Sequence, residues 1–313
     1  MVLPISENQP LRAALFALGG AAVFSVNDVA IKLLSGGYAL HQVILIRSMI
    51  SLCVTMAVIV VSRGGFAQLL TRRVGPHAVR VSCILMANVT YFLGLAVLPL
   101  ADAVAVAFVA PLILTALSGI MLGEPVGWRR WAAVAVGMLG VVVMLRPGLG
   151  VFQPAALLVA GSAVFYAMGH VMTRRMRDTE SSVTLNFWVQ IGFVVISLAM
   201  GLSVGDGHLA GEGMLAFLFR PWVWPPSQDW PVLLATGLSV GIGGLLMAQA
   251  YRSGAAAMVA PFEYAGMPMA ILWGLLFFGT VPDTVSAVGI ALICGAGLYT
   301  IRREWALRRR NGN

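Results

Sequence analysis

The sequence has few charged residues. Asp, Glu, Lys and Arg make up 10% of its 313 residues, whereas a soluble domain carries about 25%. Hydrophobic residues make up 59%, and the mean hydropathy is +0.91. This composition excludes an ordinary soluble domain and predicts an integral membrane protein.

Cysteine and lysine are also scarce. The three cysteines, Cys53, Cys83 and Cys294, lie inside apolar runs and lack the spacing of metal ligands. They indicate neither a disulfide framework nor a metal site, and helix packing explains them. We therefore expect no metal and no cofactor. Lys32 is the only lysine, and the other nineteen basic residues are arginines.

Long apolar runs dominate the rest of the chain. Each is about 18–25 residues long, enough to cross a bilayer as a helix. The first run contains polar residues and is interpreted as a retained helix, not a cleavable signal. The ten predicted spans are 11–34, 40–62, 79–98, 102–122, 128–145, 153–174, 183–204, 232–251, 255–279 and 283–301.

The arginines between the spans predict the orientation. With the N-terminus in the cytoplasm, sixteen arginines, Arg80 among them, fall on the cytoplasmic side, and only Arg146 and Arg220 on the other. Positive residues favour the cytoplasmic side, so both termini are predicted there. The net charge of +8 is then explained by membrane orientation and by contact of the arginine-rich loops with anionic lipid. The basic tail at 306–313 is expected to contact anionic lipid as well. Nucleic-acid binding is not expected.

The chain repeats itself weakly. Ala22–Phe24 recurs as Ala163–Phe165, and Leu122–Glu124 corresponds loosely to Phe278–Thr280. The repeats are predicted at 1–148 and 149–305, with five spans each. Because five is odd, the second repeat enters the membrane inverted. The predicted fold is an all-α membrane protein of ten helices in two inverted repeats, an architecture common among secondary transporters.

Several short motifs carry a resemblance to a known family. The first half has them at Leu98–Ala103, Pro111, Leu122–Pro125, Trp128–Trp131 and Arg146–Gly148, and the second half, more weakly, at Ala250–Gly254, Ala260–Pro261 and Gly279. In these motifs the chain resembles the EamA-type transporters of the drug/metabolite transporter superfamily. Members move amino acids, riboflavin-like vitamins, S-adenosylmethionine and other metabolites. The resemblance implies an inner-membrane location, no ATP, and a central cavity lined by spans 1, 3, 4, 6, 8 and 9.

Three charged residues lie inside the first two spans. Asp28 and Lys32 are four apart and share one helix face, and Arg47 lies at a similar depth, since it is about as far from the turn at Gly36–Gly37 as Asp28 is. They could form a buried cluster that docks a substrate carboxylate or phosphate. Alternatively, they form a structural ion pair, with Lys32 snorkelling to the membrane surface.

Glu263 is the other acid expected in hydrocarbon. It follows Ala260–Pro261, where the proline can interrupt the helix, and broken helices form transporter sites. Three interpretations remain open: a proton-coupling carboxylate, a counter-ion for a cationic substrate, or a partner for a basic residue such as His170 or Arg252.

Further polar and aromatic residues fall on the spans expected to line the cavity. Any one of them is more often a structural hydrogen bond or a core aromatic. As a set they predict an aromatic, moderately polar pocket that suits an amine, a carboxylate beside Lys32 and Arg47, or a zwitterion. With Asp28 and Glu263, the predicted substrate-binding residues are Asn27, Asn88, Tyr91, Phe108, Tyr166, His170, Gln249, Tyr264 and Trp273.

Two features lie outside the spans. Glu124 is predicted to form a structural tie with Arg129 or Arg130. The loop 205–231 is too short to span and contains several tryptophans, so we expect an interfacial segment, with a lid over the cavity as the alternative.

The predicted function is secondary transport of a small polar or zwitterionic metabolite, such as an amino acid or a vitamin-like compound, by alternating access, with protons as a possible coupling ion. The alternatives are a lipid or amphiphile scramblase and an intramembrane enzyme. An enzyme is disfavoured because the sequence has no HExxH motif and no convincing GxSxG partner set.

Overall fold

The computed structural model describes residues 10–61, 65–123, 127–145, 154–255 and 259–310. Their regular structure is helical, and these residues contain no strand. Short 3-10 turns separate some helices. The α-helices are α1 (Pro10–Leu34), α2 (Leu40–Val61), α3 (Val74–Val97), α4 (Leu100–Ala107), α5 (Ala110–Leu122), α6 (Trp128–Leu145), α7 (Pro154–Arg175), α8 (Ser182–Val204), α9 (Ala216–Phe219), α10 (Trp230–Ser253), α11 (Gly266–Phe278) and α12 (Thr284–Arg310).

The helices confirm an all-helical membrane protein. Seven helical segments in the described ranges are long and apolar enough to cross a bilayer, with α4 and α5 together forming one of them. Three shorter apolar segments, Trp131–Met144, Phe262–Phe278 and Thr284–Tyr299, coincide with predicted spans 5, 9 and 10. The count of ten spans remains a prediction. The predicted tail is helical as far as Arg310, because α12 continues to that residue.

Two helical segments are interrupted at related places. Between α4 and α5 the chain turns at Phe108 and Val109, and Pro111 lies in the first turn of α5, where its missing N–H costs nothing. The segment Ala260–Ala265 is a 3-10 helix that leads into α11. Interruptions of this kind free backbone polar groups, which membrane proteins tolerate only inside the protein or along a cavity.

The helices after both interruptions end in the same way. Helices α5 and α11 have 13 residues each and terminate at glycines in the left-handed region, Gly123 with φ 66° and Gly279 with φ 61°. Glycine adopts this conformation without the Cβ clash that other residues suffer. The weak correspondence between Leu122–Glu124 and Phe278–Thr280 is thus matched by backbone geometry at the glycine. Glu124 itself lies outside the described residues.

The helices pack in pairs around a common centre. Helix α1 packs along α10, and α3 packs along α7. Helix α2 contacts α8 and α10, and α6 packs against α12. The outside of the bundle is apolar: Ile120, Leu139, Leu202 and Leu276 are 60–90% exposed. In water such a surface would aggregate, whereas lipid accommodates it.

The segment between α8 and α10 lies over the turn between α1 and α2. Arg220 donates to the carbonyl oxygens of Ser35 (2.7 Å) and Tyr38 (3.1 Å). The Tyr38 hydroxyl donates to Asp229. Burial, and then the contact with Asp229, raise the pKa of Tyr38 to about 12, so the phenol stays protonated and able to donate at neutral pH. Trp224 is 87% exposed, as expected of an interfacial aromatic residue.

Candidate functional site

A cavity of about 230 Å³ lies between the two halves of the chain. Its volume is just below the roughly 300–1,000 Å³ of typical ligand pockets. Residues of α1–α5, α7, α8, α10 and α11 line it, together with the 3-10 segment Ala260–Ala265. Of the residues predicted from sequence, the cavity is lined by Asn27, Asp28, Arg47, Asn88, Tyr91, Phe108, Tyr166, His170 and Glu263.

At one place on the cavity wall, Asp28 and Arg47 are joined through amides. Tyr91 donates its hydroxyl to Asp28 Oδ2 (3.1 Å), and Asn27 Nδ2 lies 3.5 Å from Asp28 Oδ1. Arg47 Nη1 donates to Asn27 Oδ1 (3.5 Å) and Nη2 to Asn88 Oδ1 (2.6 Å). We call these five side chains the Asp28–Arg47 group. Asn27 thus links an anion and a cation that do not form a direct ion pair within 4 Å.

Lys32 does not join this group, so the three-residue cluster, one of the two alternatives left open by the sequence, does not form. Its ammonium donates to the carbonyl oxygens of Leu95 (2.8 Å) and Leu98 (2.6 Å). These carbonyls lie at the C-terminal end of α3, where helices leave acceptors unsatisfied and where the helix dipole favours a cation. Helical spacing placed Lys32 near Asp28 in the sequence, but the end of α3 supplies the better acceptors.

Replacing Lys32 with glutamine should therefore destabilise the protein without affecting ligand binding. Hydrogen bonds to charged groups contribute about 1.5–3 kcal/mol each, and glutamine is shorter and uncharged. We expect a lower unfolding temperature in detergent and an unchanged dissociation constant for any ligand of the cavity. A higher dissociation constant at an unchanged unfolding temperature would show that Lys32 contributes to ligand binding.

Glu263 lies in a cage of aromatic side chains. The hydroxyl of Tyr166 donates to Glu263 Oε2 (2.9 Å), and the hydroxyl of Tyr251 donates to Oε1. The ring of His170 lies between those of the two tyrosines, with its centroid 4.3 Å from each. We call these four residues the Glu263 cage. It is assembled from α7, the end of α10 and the 3-10 segment.

The Glu263 carboxylate has no basic partner among the described side chains. No Lys, Arg or His nitrogen in those parts of the chain lies within 4 Å of it. Arg252, one predicted partner, donates to the carbonyl of Arg177 (3.1 Å) and to Gln249 (3.3 Å). A buried acid that only neutral phenols contact can accept a proton or a cationic group, since neither is already supplied.

Three predicted residues lie off the cavity wall. Gln249 donates to Ser253 Oγ (2.9 Å), and Tyr264 is buried with its ring against Phe108. Trp273 Nε1 donates to Ser25 Oγ (3.1 Å), behind the lining residue Ser25. Their roles in the fold are packing and support, and their place on the predicted spans did not fix the direction of their side chains.

Arg80 is a lining residue that the sequence did not single out. We placed it on the cytoplasmic side, at the second residue of the predicted span 79–98, but α3 begins at Val74, so Arg80 lies well inside the helix and is only 4% exposed. It donates to Thr173 Oγ1 (2.7 Å) and to the carbonyl of Leu185 (2.8 Å). The available sequence signal was the position of Arg80 inside the predicted span 79–98.

Helices α2 and α8 also reach the cavity, although the family resemblance implied spans 1, 3, 4, 6, 8 and 9 only. Helix α2 contributes Arg47, and α8 contributes Asn186, Gln190 and Phe193. Asn186 lies against Gly244 of α10, where even a Cβ would come within 2.3 Å of its Oδ1. The spacing of Asn186 and Gln190, four residues apart in an apolar run, was an available signal for a polar helix face.

The fold has a close counterpart among solved structures. One crystal structure superimposes with a TM-score of 0.71 and 21% identity, covering 92% of this chain and 96% of the other. A bundle of apolar helices around a cavity with buried charges is the form of a membrane transporter. The profile of the EamA-like transporter family matches residues 11–146 and 153–302. The chain therefore belongs to the EamA-like transporter family.

Characterised relatives have transport functions. The chain is 28% identical to a riboflavin transporter of Rhizobium johnstonii, over 79% of this chain and 77% of the relative. It is 25% identical to an S-adenosylmethionine uptake transporter of Rickettsia prowazekii (90% and 89%). It is 26% identical to the pseudopaline exporter CntI of Pseudomonas aeruginosa (97% and 99%). The family and these relatives identify a multi-pass transporter of small molecules, not an enzyme.

Proposed function

We propose that the protein is a secondary transporter that moves a small polar or zwitterionic metabolite across the bacterial inner membrane by alternating access. The observation that carries this proposal is the pairing of separated opposite charges in one central cavity. Asp28 and Glu263 supply carboxylates, and Arg47 and Arg80 supply guanidinium groups, all on the cavity wall. A zwitterion satisfies both signs, because each of its ends finds an opposite charge.

The helix pairs support two inverted repeats within this transporter. If the first five spans are exchanged with the last five, the pair α1–α10 becomes the pair α7–α3, and both pairs are present. The pairs α2–α8 and α6–α12 map onto themselves under the same exchange. Such pseudo-symmetry allows one half to rock against the other around a fixed site.

The two carboxylates divide the site. With both termini in the cytoplasm, Asp28 lies in the outer half of α1, and Glu263 lies near the inner start of span 9. We assign the Asp28–Arg47 group to substrate binding. The Glu263 cage is assigned to binding of the coupling proton, because no cation in the described ranges lies within 4 Å of its carboxylate. In one conformation Glu263 would be protonated from one side, and in the other it would release the proton to the opposite side.

The relatives are named for different substrates. Riboflavin, S-adenosylmethionine and pseudopaline differ in size and charge, so the family fold alone does not select one. The cavity favours a compact substrate that carries both charges, in the manner of an amino acid. The alternative of a lipid scramblase would need a polar path open to lipid, whereas Arg47, Arg80 and Glu263 are buried within the bundle.

Counterflow in proteoliposomes tests the proposal. Purified protein should catalyse saturable uptake of a labelled substrate from a panel of amino acids, riboflavin and S-adenosylmethionine, and unlabelled substrate inside should accelerate the entry of label. Protein-free liposomes provide the background. Non-saturable flux, or transbilayer movement of a fluorescent lipid in the absence of any metabolite exchange, would refute the carrier and favour the scramblase.

A further inference from the structure

Arg47 occupies an unusual environment for a charged side chain. It is 1% exposed, and its guanidinium carbon lies 5.1 Å from the ring centroid of Phe92 and 5.4 Å from that of Phe193. The two rings enclose the cation on the cavity wall. Cation–π contacts of this kind stabilise a guanidinium, but by less than the burial of a charge costs.

The donors of Arg47 are incompletely used. A guanidinium carries five N–H groups. Nη2 donates one hydrogen bond to Asn88 Oδ1 (2.6 Å), and Nη1 donates a long hydrogen bond to Asn27 Oδ1 (3.5 Å). Its Nε is buried and has no acceptor among the described residues. A buried, unused donor on a cation is costly to leave unpaired.

The nearest acid does not supply the missing acceptor. Asp28 accepts from Tyr91 and Asn27, and no carboxylate oxygen in the described ranges lies within 4 Å of Arg47. Asn27 lies between the two charges and holds them apart. Arg47, which lines the cavity, therefore carries a charge that no described acid pairs with directly and N–H groups that the described residues do not use.

We propose that Arg47, oriented by Asn88, forms an anion subsite that binds a carboxylate or phosphate group of the transported metabolite. This inference rests on the proposed function and names the chemical group that the site selects. A planar guanidinium can form two parallel hydrogen bonds with such an anion. The flanking rings of Phe92 and Phe193 exclude water, which strengthens the interaction. The amide of Asn88 is held in turn by the carbonyl of Ile84 (2.9 Å).

Lysine cannot replace arginine here. Its ammonium is a point charge without the planar fork, and it is more strongly hydrated. The Arg47→Lys protein should therefore retain charge but bind the anion less tightly than the wild type does. The Arg47→Gln protein should lose the preference for the anion altogether. These two variants separate the hydrogen-bond geometry from the charge.

The test uses pairs of probes that differ only in the anionic group. One pair is riboflavin and riboflavin 5′-phosphate, and the other is L-leucine and L-leucinamide. Dissociation constants are measured at constant ionic strength from the dependence of the unfolding temperature of detergent-solubilised protein on probe concentration. For at least one pair, the wild type should bind the anionic member at least ~10-fold more tightly, a difference of about 1.4 kcal/mol. In the Arg47→Gln protein the two members should bind equally.

Two further variants sharpen the test. Asn88→Asp places a carboxylate beside Nη2 and should compete with the probe, so the preference for the anion should disappear although the side chain keeps its size. Lys32→Gln is the control, because it removes a nearby cation that lies outside the cavity. Each probe-induced shift in unfolding temperature is measured relative to the unfolding temperature of the same variant without probe. The preference should persist in Lys32→Gln.

Three results would overturn the subsite. The wild type could fail to discriminate within both pairs, or the preference could survive both Arg47→Gln and Asn88→Asp. Phosphatidylglycerol in mixed micelles could also reproduce the Arg47-dependent stabilisation while soluble anions fail, and the group bound would then be a lipid headgroup. Because the readout is binding and not flux, loss of counterflow with an intact anion preference would refute the transporter and leave the subsite standing.

Discussion

Replacement of Glu263 with glutamine should strongly reduce accumulation driven by a pH gradient while substrate exchange continues. Glutamine retains the size of the side chain and can still contact Tyr166 and Tyr251, but it cannot bind and release a proton. Coupling free energies between two sites are typically 1–3 kcal/mol, so net accumulation should fall about 5–150-fold. Exchange at equal pH on both sides should change much less, because it does not require proton release.

The measurement compares two modes of transport in the same proteoliposomes. Accumulation is followed after an imposed pH jump, and exchange is followed with equal concentrations of substrate on both sides. Glu180→Gln is the matched control: Glu180 is also buried, accepts from Thr71 at 2.6 Å, and lies outside the cavity lining. Equal loss in the control, or pH-driven accumulation that survives in Glu263→Gln, would remove Glu263 from the coupling role. Loss of exchange together with accumulation would instead assign Glu263 to substrate binding.

The residues that line the cavity could be predicted best where polar side chains interrupt apolar runs. Asp28, Asn88 and Glu263 stand out because a polar group in hydrocarbon needs a partner or a function. The structure places all three on the cavity wall. The helical class was equally predictable, since only hydrogen-bonded helices or closed barrels cross lipid, and the runs are too long and too apolar for barrel strands.

Side-chain direction and helix ends were not predictable in the same way. Lys32 shares a helix face with Asp28, but the carbonyls of Leu95 and Leu98, about sixty residues away in the chain, take up its ammonium. Arg80 was counted with the cytoplasmic arginines because its span was predicted to start at residue 79, five residues after the observed start of α3. Boundaries and long-range acceptors depend on tertiary packing, which local patterns do not encode.

The chain contains 35 glycines, and the contact between α3 and α7 shows how closely a glycine lets two of its helices pack. A Cβ at Gly94 would lie 2.4 Å from Val159 Cγ2 and 2.7 Å from the carbonyl oxygen of Ala155. The second contact is with backbone, which cannot rotate away. Small residues at such contacts let membrane helices approach closely. The same two helices present Asn88 and Tyr166 to the cavity, so their separation also sets the geometry of the site.

Replacement of Gly94 with leucine should therefore separate α3 from α7 and destabilise the fold. Overpacking of a close contact costs about 1–3 kcal/mol and occasionally more. Because one of the contacts at Gly94 is with backbone, we expect a destabilisation at the upper end of this range. Gly161→Leu on α7 is the matched control, because a Cβ there meets nothing within 4 Å, and leucine favours a helix by about 1 kcal/mol over glycine. For Gly94→Leu, size-exclusion profiles should show aggregation or the unfolding temperature should fall strongly. Gly161→Leu should behave nearly as the wild type does in both measurements. The smaller Gly94→Ala change should fold with reduced stability and weaker ligand binding; wild-type stability and affinity in that variant would show that the two helices can move apart at no cost.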